Sequence, residues 1–231
     1  MQPYFFPYLG YISLLKHADA FILFDTVQFI RHGWIERNRI LKPNGGWQYI
    51  QIPLQKYHQN TVIKDIKINN QTDWKNKIKS QLQHYKKKAP FYVETMSVIN
   101  DIFSENYDDI VGLNYSILDN VCSYLKIEKN IKIFSKMDLF IEPALAPDEW
   151  ALNICRAIDG VDGYWNPPGG ISFFDKSKYE KYNIDLKFHS INLLPYKQFD
   201  SAFEEGLSII DVMMFNSVDS INNMLDNYVL L

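Results

Sequence analysis

Cysteine is scarce in this chain: Cys122 and Cys155 are the only two among 231 residues. Both fall inside apolar patterns of helical spacing. That placement predicts buried free thiols, not a disulfide framework or a thiolate nucleophile. Glycine is sparse as well, at ten residues, and no GxGxxG or Walker loop occurs. No apolar run approaches the roughly 20 residues of a membrane-spanning helix. No cationic stretch followed by an apolar segment marks a secretory leader, so a cytoplasmic protein is expected. Neither sign of charge dominates: 24 basic against 27 acidic residues leave a net charge of −3. General nucleic-acid binding needs a cationic excess that is missing here. The histidines, His17, His32, His58, His84 and His189, show no HxxxH spacing and no nearby cysteine, so no metal site is expected. No Ser-His-Asp elbow or Cys-His pair is present, and there is no internal repeat or low-complexity segment.

Aromatic and apolar residues are what the chain has in quantity. It is 47% hydrophobic and 15% aromatic, with fifteen Tyr and fifteen Phe. Such a chain can bury a substantial core. Tyr and Trp also suit sugar and nucleotide surfaces, because each joins an apolar face to a polar tip. Segments of strand-like alternation at Trp47–Ile52, Thr61–Ile68, Ile131–Phe134, Asp162–Trp165 and Ile184–Phe188 are interspersed with helical patterns. The expected fold is a single α/β domain over residues 1–231. It would have a mainly parallel sheet with flanking helices, a Rossmann-like N-terminal part and a helical insertion at about 72–126. The helix expected from Trp74 to Lys87 carries Lys75, Lys77 and Lys79 and runs on to Lys86, Lys87 and Lys88. This is either a solvated face or a docking surface for an acidic partner.

Unusual chemistry is densest in Met1–Leu41. Gln2-Pro3-Tyr4-Phe5-Phe6-Pro7-Tyr8 is an aromatic turn, and Gly10 and Tyr11 open a helix. An apolar run then ends in Asp25 and leads to Gln28, His32, Trp34 and Arg37-Asn38-Arg39. In an extended segment Arg37 and Arg39 share one face and Asn38 takes the other. Two adjacent guanidiniums repel unless an anion or a carboxylate lies between them, and Arg suits bidentate phosphate recognition. A structural pair bridged by Glu36 or Asp25 is the alternative. Asp25 and His32 are the base candidates. The turn Asn166-Pro167-Pro168-Gly169-Gly170-Ile171-Ser172 is the other candidate, since two glycines allow close backbone approach to a ligand. It can equally be a plain tight turn.

These stretches resemble the WbqC-like family, which is found with surface-polysaccharide genes. The opening Gln2–Tyr11, Ala18-Asp19 with Asp25 and Gln28, and Gly33-Trp34 with Arg37-Asn38-Arg39 carry the resemblance. So do Trp47, Ile52-Pro53, Trp74, Tyr85, Ala89-Pro90, Tyr164–Gly170, Tyr196, Gln198, Phe199 and Leu207–Asp211. Two departures stand out. Family members carry a short apolar strand ahead of the glutamine, whereas Met1 stands directly before Gln2 here. The turn Trp165–Gly170 is close to the family's Gly-rich turn but not identical to it.

The resemblance implies a transferase that modifies an amino sugar, nucleotide-linked, by acyl or aminoacyl transfer to the sugar amine during O-antigen or related glycan synthesis. The substrate-binding candidates are Gln2, Tyr4, Tyr8, Tyr11, Gln28, Trp34, Arg37, Asn38, Arg39, Asn166, Gly169, Gly170 and Ser172. Asp25 or His32 would take the amine proton. The donor would be carried by an acidic carrier protein or coenzyme A, or be activated by ATP. Two alternatives stay open. One is a non-catalytic protein that binds a glycan or nucleotide-sugar. The other is nucleotidyl transfer or acyl adenylation on a HIGH-like fold, where Tyr8 and Tyr11 would stand in place of the two histidines. Gln2–Tyr11, Asp25–Arg39 and Asn166–Ser172 are expected to line one cleft.

Overall fold

The computed structural model of the chain describes residues 1–199 and 202–231. Within them lie eight α-helices and seven short strands. α1 (Leu9–His17) buries Leu9, Tyr11, Ile12, Leu14 and Leu15, and β1 (Phe21–Leu23) follows it. β2 (Arg37–Leu41) and β3 (Trp47–Gln51) are joined by a turn in which Gly45 and Gly46 take φ of 95° and 67°. Glycine adopts that conformation without steric cost. α2 (Trp74–Leu82) runs into a 3-10 turn at Gln83–Lys87. α3 (Tyr92–Ser104) and α4 (Ile110–Leu125) follow. The Asp109 carboxylate accepts from Gly112 N at 2.8 Å and caps α4. Next come β4 (Ile131–Ile133), α5 (Glu149–Arg156), β5 (Gly163–Asn166), α6 (Lys176–Glu180) and β6 (Asp185–Ile191). α7 (Ile209–Phe215) and α8 (Val218–Leu225) are capped by the hydroxyls of Ser208 and Ser217. β7 (Tyr228–Leu230) completes the described elements.

The α/β class holds, but the sheets are small. Among the described residues, parallel pairing is confined to β1 with β4 and β5 with β6. β2 and β3 form an antiparallel hairpin, and β7 adds antiparallel to β6. A mainly parallel sheet is therefore not what forms, and the Rossmann-like reading of the N-terminal part is not confirmed. The reason is local: a short turn can join only antiparallel strands, whereas parallel partners need a long crossover. Residues 2–7 are irregular, although Met1 lies alongside β1, donating to Ile22 O and accepting from Phe24 N. Thr61–Ile68 also departs from expectation. It holds a 3-10 turn at Ile63–Asp65, because its amides turn to Val27 O and Asp25 O.

One apolar cluster dominates the interior. Ile78, Leu82, Tyr85, Ile99, Ile117 and Val121 join Ile12, Leu23, Ile40 and Ile50 in it, so α2–α4 pack into the same core as β1–β3. A smaller cluster of Leu152, Cys155, Tyr179, Ile184 and Leu186 lies among α5, α6 and β6. Both cysteines are free and buried. Burial pushes the Cys155 thiol up to about 11, which leaves it a poor nucleophile. No helix among the described residues is long and apolar enough to cross a membrane.

Candidate functional site

The β2–β3 hairpin sorts its side chains by alternation. Asn38, Ile40 and Ile50 face the core and are buried. Arg37 and Arg39 point to the other face, with Arg39 paired to Tyr49 and Leu41 to Trp47 across the hairpin. The Arg37 Cζ lies 4.0 Å from the centre of the Tyr49 ring. The Arg39 Cζ lies 5.2 Å from the Trp47 ring and 5.6 Å from that of Trp34. Trp34 is 41% exposed, so this face opens to solvent. Arg37 Nη2 donates to His32 O at 2.5 Å, and Arg39 Nη2 donates to Gly206 O at 2.9 Å. The Nε atoms of both are buried without an acceptor. No carboxylate forms an ion pair with either guanidinium among the described residues.

The two acids expected as bridges are engaged elsewhere. Glu36 accepts from His32 N. Asp25 is buried and accepts from Ser135 N at 3.0 Å and from Ser135 Oγ at 2.5 Å, capping the 3-10 turn after β4. Among the described residues these two cations are held by neutral carbonyls and ring faces, with no carboxylate to neutralise them. Such a face suits an anion flanked by a flat, partly apolar group.

The aromatic turn is fixed to the other, core-facing side of β2. Asn38 Nδ2 donates to Phe5 O at 3.1 Å and to Phe6 O at 2.8 Å, and its Oδ1 accepts from Arg39 N at 2.8 Å. Ser208 Oγ also donates to Phe6 O, at 2.8 Å. These bonds hold Phe6 at φ 39°, a strained conformation for a residue with a Cβ. Phe5 N donates to Trp34 O, which ties the turn to the segment carrying Trp34. Asn114 Nδ2 spans Pro3 O and Ile35 O at 2.8 and 2.9 Å.

Tyr11 is buried and donates to Gln2 O, so it supports the turn from beneath. The HIGH-like analogy loses a phosphate ligand there. Tyr4 and Tyr8 are half-buried, and burial raises both phenols. The Tyr8 ring lies against Gly10, where an added Cβ would meet it at 2.5 Å. Gln28 is exposed and donates to Gln59 O. His32 is exposed, with φ 64°.

Asn166–Ser172 is held by contacts within its own segment. The Asn166 Oδ1 accepts from Tyr164 OH, and its amide packs so close to Gly170 that a Cβ there would lie 2.1 Å away. Gly169 faces open space and Ser172 is exposed. Among the described residues no hydrogen bond, ion pair or ring contact joins this turn to Gln2–Tyr11 or to Arg37–Arg39.

Sequence reasoning passed over Trp47, Tyr49 and Gly206 as site residues. The first two were findable, because the Gly45-Gly46 turn sets a register that places Tyr49 opposite Arg39 and Trp47 opposite Leu41, both on the face of the Arg pair. Gly206 was not, since it lies 167 positions from Arg39.

The sequence model of the WbqC-like protein family matches residues 2–223. A protein of Mycobacterium tuberculosis, described as uncharacterized, is 28% identical over 221 residues, covering 94% of this chain and 91% of its own length. No solved structure matches.

Proposed function

The chain belongs to the WbqC-like protein family, and on that premise we propose that it is a cytoplasmic transferase that modifies an amino sugar, nucleotide-linked, in O-antigen or related glycan synthesis. The group transferred is acyl or aminoacyl, and the acceptor is the sugar amine. One observation carries this reading: Arg37 and Arg39 share a half-buried aromatic face beside the exposed Trp34 and, among the described residues, bond to neutral carbonyls. The guanidiniums take the diphosphate, and Trp34, Trp47 and Tyr49 stack on base or sugar. In the transfer the amine nitrogen forms an amide as the bond from the acyl carbon to its carrier breaks. The amine proton passes to a base. His32 is the base candidate next to this face, since its carbonyl already holds Arg37. Asp25 is tied to Ser135, and that favours the second reading, a protein that binds the nucleotide-sugar without catalysis.

The test is to incubate the protein with nucleotide-sugars and with acyl donors on coenzyme A, on a carrier protein or with ATP. A mass gain on the sugar supports the transferase. A thermal shift with a nucleotide-sugar but no product under any donor moves the conclusion to the second reading. Pyrophosphate release from ATP would point to adenylation instead.

The Lys-rich face of α2 bears on the donor. Lys77, Lys86 and Lys87 are exposed, and Lys75 reaches Glu105 O. Replacing Lys75, Lys79 and Lys86 with Gln should leave folding intact, since none of the three is buried and charges at the surface contribute about 0–1 kcal/mol each. Activity lost only with a carrier-protein donor would mark a docking face. Equal activity with every donor would make it a solvated surface.

A further inference from the structure

Asp211 bears a buried charge that the Arg face does not use directly. It sits in the first turn of α7 and is fully buried. Its oxygens accept from Tyr85 OH at 2.6 Å, Tyr196 OH at 2.6 Å and Gln198 Nε2 at 3.1 Å. All three donors are neutral, and holding an ion on neutral dipoles alone is costly in a core. What those donors hold leads to Arg39 from two sides. Tyr85 OH also accepts from Leu41 N at 2.9 Å, which fixes β2 two residues beyond Arg39. Gln198 is bonded to the Glu204 backbone in both directions, at 3.0 and 2.8 Å. Two residues further on, Gly206 supplies the carbonyl that receives Arg39 Nη2.

We propose that Asp211 is the positioning residue of the Arg39 site: its ionised carboxylate holds Leu41 and the Glu204–Gly206 backbone where they aim the guanidinium at an anionic ligand, and its protonation releases them. The inference rests on the Arg face being the nucleotide-sugar site. A protonated carboxyl carries a donor of its own, so three converging donors can no longer all be accepted.

Burial raises Asp211 from the ordinary carboxylate range to about 6. Folding therefore favours its protonated form. Its contribution to stability is full below the unfolded pKa and is lost as pH rises through about 6. Positioning needs the opposite form. As pH falls through this window, the group's stability contribution rises while ligand affinity drops, whereas a purely structural role would move both together. The titratable groups facing the knot are Tyr85 and His84 from the 3-10 turn, Tyr196, and Arg39 through Gly206. Burial lowers His84. The helices packed on α7 bring no other titratable group into contact with Asp211 among the described residues.

The test is calorimetric titration with UDP-N-acetylglucosamine from about pH 7.5 to about pH 5, alongside melting curves without ligand. The diphosphate diester of this probe keeps its charge across that range. Wild-type affinity should fall about tenfold, with a midpoint near 6. Asp211→Asn should bind about tenfold more weakly at the upper pH and show no further pH dependence. Tyr196→Phe, which removes a donor that favours the carboxylate, should move the midpoint upward and serves if the Asn variant does not fold. His84→Gln should follow the wild type. An unmoved midpoint in Tyr196→Phe, a wild-type profile in Asp211→Asn, or a flattened one in His84→Gln overturns the proposal while leaving the Arg face standing. Absence of wild-type binding at the upper pH sinks the Arg-face reading, and this inference with it.

Discussion

Asn38→Asp is expected to remove about 3–5 kcal/mol of fold stability, read as a melting temperature lower by roughly 6–20 °C. The change is nearly isosteric, so packing is not the cause. The Asn38 amide nitrogen donates to two carbonyls, Phe5 O and Phe6 O. An aspartate oxygen in that place would face both carbonyls as a second acceptor, carrying a buried charge. Phe6 would also lose one of the two bonds that hold its positive φ. Asn38→Ala should cost less, about 2–3 kcal/mol, because it takes a donor from Phe5 O and from Phe6 O, which keeps Ser208 Oγ, but adds no repulsion. Urea titration of the three proteins would rank them. A loss below about 1 kcal/mol for the aspartate would show that Asn38 does not hold the aromatic turn.

Arg39→Ala should weaken nucleotide-sugar binding about 10- to 100-fold while the ligand-free melting temperature hardly moves. The guanidinium has no carboxylate partner among the described residues, so its removal strands no opposite charge. It loses one bond to Gly206 O and two ring contacts at a half-buried position. A charge-assisted hydrogen bond to the ligand contributes about 1.5–3 kcal/mol, which sets the loss in affinity. Arg39→Lys keeps the charge but not the planar fork, and should bind more weakly than wild type. Had Arg39 been half of a buried ion pair, truncation would cost about 3–5 kcal/mol of stability. A large fall in the ligand-free melting temperature would therefore turn the Arg pair into scaffolding. An unchanged melt with lost ligand stabilisation would establish it as a binding site.

What the sequence determined by itself was local. Helical spacing located α2 from Trp74, and strand-like alternation located β3, β4, β5 and β6 to within a few residues. Alternation through Arg37-Asn38-Arg39 placed the two guanidiniums on one face and the amide on the other. These features depend on residues within a turn or two of one another, where dihedral preference and side-chain direction decide the outcome.

The tertiary structure decided which charged groups are free to act. Asp25 reads as a base at a strand end, and it became a cap only because β4 pairs with β1 and brings Ser135, 110 positions away in the turn just after β4, beside it. Tyr85 and Asp211 are 126 positions apart, and their bond, together with the one Tyr85 OH accepts from Leu41 N, joins the Arg39 strand to α7. The same holds for the sheets: parallel partners such as β1 and β4 share no turn that would announce them. A hydrogen bond or a parallel ladder between distant segments leaves no local pattern, because any donor can meet any acceptor once the apolar faces have packed. Packing the apolar faces of α1, α4 and α7 against the strands selects those meetings, and the geometry of the Arg face follows from that selection.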